Sequence, residues 1–367
     1  MLRGLVRFAS VFAVLAGAAC TAVAAEGVEQ LLAIGPSKDN PRNGEGDIIE
    51  LEDGRLALVY TRFRGGGSDH APADLAMRIS GDGGKTWSDD RILVPNEGDR
   101  NVMSVSLLRE TRDGEILVFY LRKNDPNDDC LLYVRRSGDE LETVGEPVCA
   151  TPVPGYQVVN NDRVIQLQSG RLLVAAAHHT NAEGKFTGYG VPIGYYSDDG
   201  GHSWKAGKPV YPLHQKPELL LQEPGLVELK DGRVWMFMRT GHGCQYGCHS
   251  SDQGTTWTEP EPIQALASPR SPATIERIPW TGGLLCVWND HTGWHNHPPA
   301  PRRSPLAMKI SNDEGKTWTK SRVLGGHPNG SYCYMSMTFL DDRVLLSYYA
   351  PGGLHVVSLS KDWVLAE

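Results

Sequence analysis

The sequence predicts an all-β protein: a six-bladed β-propeller of four-stranded antiparallel sheets. Three observations predict it. A box of the form S-x-D-x-G-x-[TS]-W occurs four times, at residues 80–87, 197–204, 250–257 and 311–318. Six stretches each read as an apolar strand, a tight turn and another apolar strand, with turns at Gly54, Gly114, Gly170, Gly232, Gly283 and Asp342. Successive turns are 60, 56, 62, 51 and 59 residues apart, the period of one blade with its loops. Composition agrees: 367 residues with 41 Gly, 24 Pro and 9 Trp favour many short strands over long helices.

Taken in order, the chain opens with a processing segment. Arg3 and Arg7 precede a short apolar run at 8–19, and Ala22-Val23-Ala24 and Val23-Ala24-Ala25 suit signal peptidase. Residues 1–25 are therefore expected to be a signal peptide and 26–367 the propeller, secreted or periplasmic. Lipoprotein anchoring at Cys20 is the lesser expectation, because Gly17 stands where that signal has Leu. No later stretch is apolar enough to span a membrane. Residues 29–34 are expected to complete the short last blade and close the ring.

Each hairpin turn needs a positive φ, which Asp-Gly, Ser-Gly and Gly-Gly pairs supply. The boxes come late in their units, and a degraded fifth copy, SGDELETV, begins at Ser137. Each box reads as a turn between the outer two strands of a blade. Its Asp bonds turn N–H groups, its Gly takes the strained φ, and its Trp packs between blades. The boxes are structural on this reading.

Export leaves six cysteines. Cys130 and Cys149 flank one hairpin and are the expected disulfide; Cys244 and Cys248 read as a loop clip, with buried free thiols the alternative. No second Cys or His pair follows at zinc-finger spacing. The net charge of −8 excludes the usual nucleic-acid binder.

Function belongs at the mouth of the funnel. Counting back from the turns aligns Glu45, Val105, Asn161, Glu223, Thr274 and Tyr334 on the inner strands. The inner hairpins end in Arg62, Arg122, His178, Arg239 and His291. Basic groups at one mouth of an acidic chain predict a pocket for a small anionic ligand.

These boxes on this period resemble the sialidase (neuraminidase) superfamily, and residues outside the boxes agree. SDHAPADLAMRIS puts Asp69 on the family's acid/base position. QEPGLVELKDGRVWMFMR puts Glu223 and Arg239 on its Glu-Pro strand and following Arg. RSPLAMKISNDEGKTW supplies Arg303, and YMSMTF supplies Tyr334, with Tyr332 as rival. Two positions depart. No Arg-Ile-Pro opens blade 1, so Arg42 is the nearest equivalent of the first Arg, and the RIP at Arg277 lies inside the fifth hairpin. Tyr349 stands where a Glu usually holds that first Arg, leaving Glu45 or Asp47 for the role.

The resemblance implies an exo-acting, retaining glycosidase for sialic acid or a related α-keto acid sugar. Arg42, Arg239 and Arg303 would bind the substrate carboxylate, with Arg62, Glu45, Asn161 and Tyr332 as further substrate contacts. Tyr334 would be the nucleophile, Glu223 its base and Asp69 the acid/base. No metal or organic cofactor is implied, and the partner is a glycan. A glycosidase for another acidic sugar such as a uronate, drawing on Asn160, Asn161, His178, His179 and the run from Asn289, and a non-catalytic glycan-binding propeller are the alternatives.

Overall fold

A computed structural model describes residues 27–211, 219–292, 303–326 and 330–366. The expected signal peptide, Cys20 and most of the run after Asn289 lie outside the described residues. Six antiparallel sheets form the six-bladed propeller. In blade 1 the strands run outward as Asn43–Glu50, Leu56–Phe63, Ala73–Ser80 and Arg91–Val94. The inner strands of blades 2, 4, 5 and 6 are Asn101–Arg109, Gln222–Glu228, Thr274–Arg277 and Cys333–Phe339. In blade 3 the inner strand is split into Gln157–Val158 and Val164–Gln166.

The ring closes as the sequence predicts. Val28–Ile34 is the outermost strand of blade 6, antiparallel to Gly353–Ser360 near the C-terminus. A short helix, Lys361–Leu365, follows, its Trp363 N–H donating to Ser360 Oγ at 3.2 Å. Among the described residues no helix is long and apolar enough to cross a membrane.

Alternation of apolar residues on the strands buries both faces of each blade. The result is six apolar clusters, each centred between two neighbouring blades. The boxes fasten these interfaces. In the first, Gly84 N–H donates to Ser80 Oγ and Thr86 N–H to Asp82 Oδ1, both at 2.8 Å, and Trp87 Nε1 donates to Gly84 O at 2.8 Å. The degraded copy keeps the same network: Leu141 N–H donates to Ser137 Oγ and Thr143 N–H to Asp139 Oδ1, both at 2.9 Å. Leu141 there takes a φ of 67° where the others place Gly, and its buried side chain joins the apolar cluster between blades 1 and 2, against which Val144, at the Trp position, also packs.

Two sequence expectations are corrected. The fifth hairpin turns on Gly282, whose φ is 73°, and not on Gly283. All six cysteines among the described residues are free. Cys149 pairs in register with Tyr133, three residues along the strand from Cys130. Cys244 and Cys248 lie on one extended strand, so at about 3.3 Å per residue they stand ~13 Å apart, beyond disulfide reach.

Candidate functional site

Five residues at equivalent places on the inner strands adopt left-handed backbone: Glu45, Ser104, Asp162, Glu223 and Tyr334, with φ from 46° to 61°. In blades 1, 2, 4 and 6 the strand register slips at this point. Each slip is a bulge, which re-aims a side chain out of the regular alternation. Four of these side chains, Glu45, Ser104, Glu223 and Tyr334, open into one cavity of about 330 Å³ at the mouth of the funnel. In blade 2 the aligned residue is therefore Ser104; Val105 lies in the core.

The cavity is also lined by Asp69, Arg239 and Arg303. Arg239, at the end of the second strand of blade 4, is ion-paired with Glu223 Oε1, while Glu223 Oε2 is buried without a hydrogen bond. Burial pushes the Glu223 carboxyl up, but Arg239 and then Arg303 outweigh it and hold it below its ordinary value. The Arg303 guanidinium lies 5.3 Å from the centre of the Tyr334 ring. Burial, followed by the charge of Glu223, raises the Tyr334 phenol well above its ordinary value. The phenol is therefore neutral at physiological pH and needs a base to act as a nucleophile.

Arg42 reaches the same mouth. It donates to Glu45 Oε1 at 3.0 Å, is ion-paired with Asp69, and packs 4.5 Å from the Phe63 ring and 5.8 Å from the Tyr349 ring. Tyr349 thus offers Arg42 an aromatic face where the resemblance expects a carboxylate, and Glu45 supplies the charge. Ser104 Oγ donates to the other oxygen of Glu45 at 2.5 Å. Burial first, opposed by Arg42, leaves the Glu45 carboxyl raised. Burial likewise raises Asp69, but Arg42 overcomes it and holds that carboxyl below its usual value.

Three expected contacts lie elsewhere. Arg62 is ion-paired with Asp90 at 3.2 Å on the flank of blade 1. Asn161 is fully buried and donates to Gly46 O at 2.9 Å and Tyr334 O at 3.0 Å, bracing the bulges of blades 1 and 6 from beneath. Tyr332 is buried in the cluster between blades 5 and 6, against Tyr348. Arg122, His178 and His291 also miss the cavity: Arg122 stacks on Tyr133, and the two histidines bond the main-chain oxygens of Pro154 and Ser304.

Parity explains the misses of Arg62, Arg122 and His178. Arg62, Arg122 and His178 each stand eight residues after their turn glycine, whereas Arg239 stands seven after and Lys123 and His179 nine. A one-residue slip sends a strand side chain to the opposite face, so Lys123 and His179 line the cavity in place of Arg122 and His178. Gln222 and Arg270 also line it, Arg270 Nε donating to Gln222 Oε1 at 3.1 Å. Neither was flagged by the repeat, because both lie outside the counted positions. Among the described residues no group of three His, Cys, Asp or Glu side chains is arranged to hold a metal ion.

The profile of the BNR repeat-like domain family matches residues 54–355. A sialidase of Micromonospora viridifaciens is 26% identical over 92% of this chain and 54% of its own length. A sialidase of Bacteroides fragilis (strain YCH46) is 22% identical over 91% of this chain and 65% of its own. The chain thus spans about half to two thirds of the relatives it matches. Among solved structures, a Hadza microbial sialidase superposes with a TM-score of 0.71 at 19% identity, over 89% of this chain and 67% of that one.

Proposed function

Because this chain belongs to the BNR repeat-like family within the sialidase superfamily, we propose that it is an exo-acting, retaining glycoside hydrolase that removes terminal sialic acid from glycans. One observation carries the reading: Arg239, Arg303, Glu223, Tyr334 and Asp69, far apart in sequence, line one cavity, with Arg42 bonded to two of its carboxylates. A sialic acid bears a carboxylate on its anomeric carbon. Three guanidiniums bind that group by charge-assisted hydrogen bonds. A carboxylate nucleophile would be repelled by the substrate's own charge, and a neutral phenol avoids this.

In the first step Tyr334 Oη bonds to the anomeric carbon and gives its proton to the unbonded Oε2 of Glu223. The glycosidic C–O bond breaks, and Asp69 donates a proton to the leaving oxygen. In the second step water attacks the anomeric carbon and yields its proton to Asp69. The Tyr334–carbon bond breaks, and the phenol recovers its proton from Glu223. Two inversions give net retention. Residues 1–25 motivate the further proposal that the enzyme acts outside the cytoplasm, which fractionation of the native host checks.

The test is turnover of 4-methylumbelliferyl sialoside. The expected result is hydrolysis by the wild type, with the α-anomer of the sugar released first by NMR, and a loss of about 10³-fold or more in kcat for Tyr334→Phe. Absence of turnover, with release of sugar from uronate-containing glycans, would replace the substrate class. Saturable glycan binding without product would make the propeller a binding module.

A further inference from the structure

Lys123 sits on the second strand of blade 2, only 3% exposed, and lines the cavity. Its Nζ donates to the main-chain oxygen of Asp69 at 2.8 Å, lies 3.5 Å from Met103 Sδ, and stands 5.5 Å from the centre of the Tyr156 ring. Among the described residues this ammonium has no carboxylate within ion-pair distance. Burying a charge in that way is costly, and a neutral donor would satisfy the carbonyl as well. The charge therefore answers to the cavity.

Asp69 stands on the loop between the second and third strands of blade 1, just after Gly65, Gly66 and Gly67. Its carboxylate is bonded to Arg42. Under the sialidase reading, on which this inference rests, a bound substrate carboxylate recruits that same guanidinium. What then still holds Asp69 is its main chain. Asn101 Nδ2 donates to Asp69 O at 3.0 Å and to Ala71 O at 2.8 Å, and Lys123 completes the anchor.

We propose that Lys123 is a positioning residue for Asp69: it ties the Asp69 peptide to blade 2 and supplies a positive field at the carboxyl group that persists when Arg42 turns to substrate. The charged groups around Asp69 are Arg42, Lys123 and the adjacent His70, with Glu45 across Arg42 and with Arg100 and Asp125 beyond His70. Burial raises the Asp69 carboxyl, and Arg42 and then Lys123 bring it down. Removing the lysine charge therefore moves Asp69 upward, which keeps the acid protonated to higher pH.

The experiment measures kcat against pH, the profile that reports the substrate-bound enzyme, for sialyllactose and for 4-methylumbelliferyl sialoside. Lys123→Gln keeps a donor without the charge, Lys123→Met removes both, and Lys123→Arg keeps both. The alkaline limb, which reports the acid, is expected to move up by about half a unit to one unit in the Gln and Met variants and to stay in place in Lys123→Arg. Lys123→Met is also expected to lose more kcat on sialyllactose, whose alkyl-type leaving group needs protonation, than on the fluorogenic substrate. An active wild type whose limb is unmoved in folded Lys123→Gln overturns this inference alone. A wild type inactive on both substrates overturns the sialidase reading and this inference with it.

Discussion

At the scale of single residues, orientation separates the candidate site from its neighbours. Arg62 and Arg239 both lie at or next to the end of the second strand of a blade, yet Arg62 is held by Asp90 while Arg239 faces Glu223 in the cavity. Arg62→Ala is accordingly expected to leave sialoside kcat/KM within about 2-fold, whereas Arg239→Met, which removes a proposed ligand of the substrate carboxylate and strands Glu223, is expected to lower it by about 10² or more; steady-state kinetics on the same substrate checks both. Asp69, Glu223, Arg239, Arg303 and Tyr334 were legible because each sits in a local motif. Tyr334 lines the cavity, while its rival Tyr332 packs in the core. Asn161, Arg62 and the partners Lys123, Gln222 and Arg270 were not legible. Facing depends on strand parity and on bulges, and counting from a turn glycine fixes neither.

At the scale of the element, the boxes were legible in full, since every bond in them is local. Ser, Asp and Thr satisfy the turn within a few residues, so the motif folds the same way wherever it occurs. Its indole reaches the preceding blade: Trp204, in the box of blade 3, is 8% exposed and meets Phe119 of blade 2 edge-on at 5.8 Å. Trp204→Ala is expected to destabilise the protein by about 3–5 kcal/mol through lost burial and the cavity left behind, read as a lower midpoint in urea. The Cys130–Cys149 expectation failed at this same scale. Flanking a hairpin says nothing about register, and the register sets Cys149 opposite Tyr133.

At the scale of the whole molecule, the axis carries a second polar cavity, of about 270 Å³, lined by Asp47, Asp162, Arg163 and Glu276. Burial, with the charge of Asp162 next, lifts both Asp47 and Glu276 well above the usual carboxylate range, and burial raises Asp162. Arg163, buried among them, donates to Thr274 Oγ1 at 3.2 Å and Ala273 O at 2.9 Å. Carboxyls with raised folded-state values bind more protons folded than unfolded. Their contribution is full below the unfolded value, about 4, and is lost as pH rises through the folded one. The wild type is therefore expected to lose thermal stability as pH rises above the unfolded carboxyl value, and Glu276→Gln to flatten that decline, as Tm measured against pH will show. The ring itself was legible from the turn spacing and from residues 29–34. The axial acids were not, because nothing local marks which side chains meet on an axis.

The closing strand has a mechanical corollary. Val28, at the start of the first strand, is in register with Leu359, and Ile34 with Leu354. The start of the first strand and the end of the last therefore lie at the same end of one antiparallel ladder. Tension applied between them loads its hydrogen bonds one after another, as in a zipper, and never all at once. Pulled in an optical trap from handles attached at Gly27 and Ala366, the molecule should first shed Val28–Ile34 at low force, and only then surrender the remaining blades.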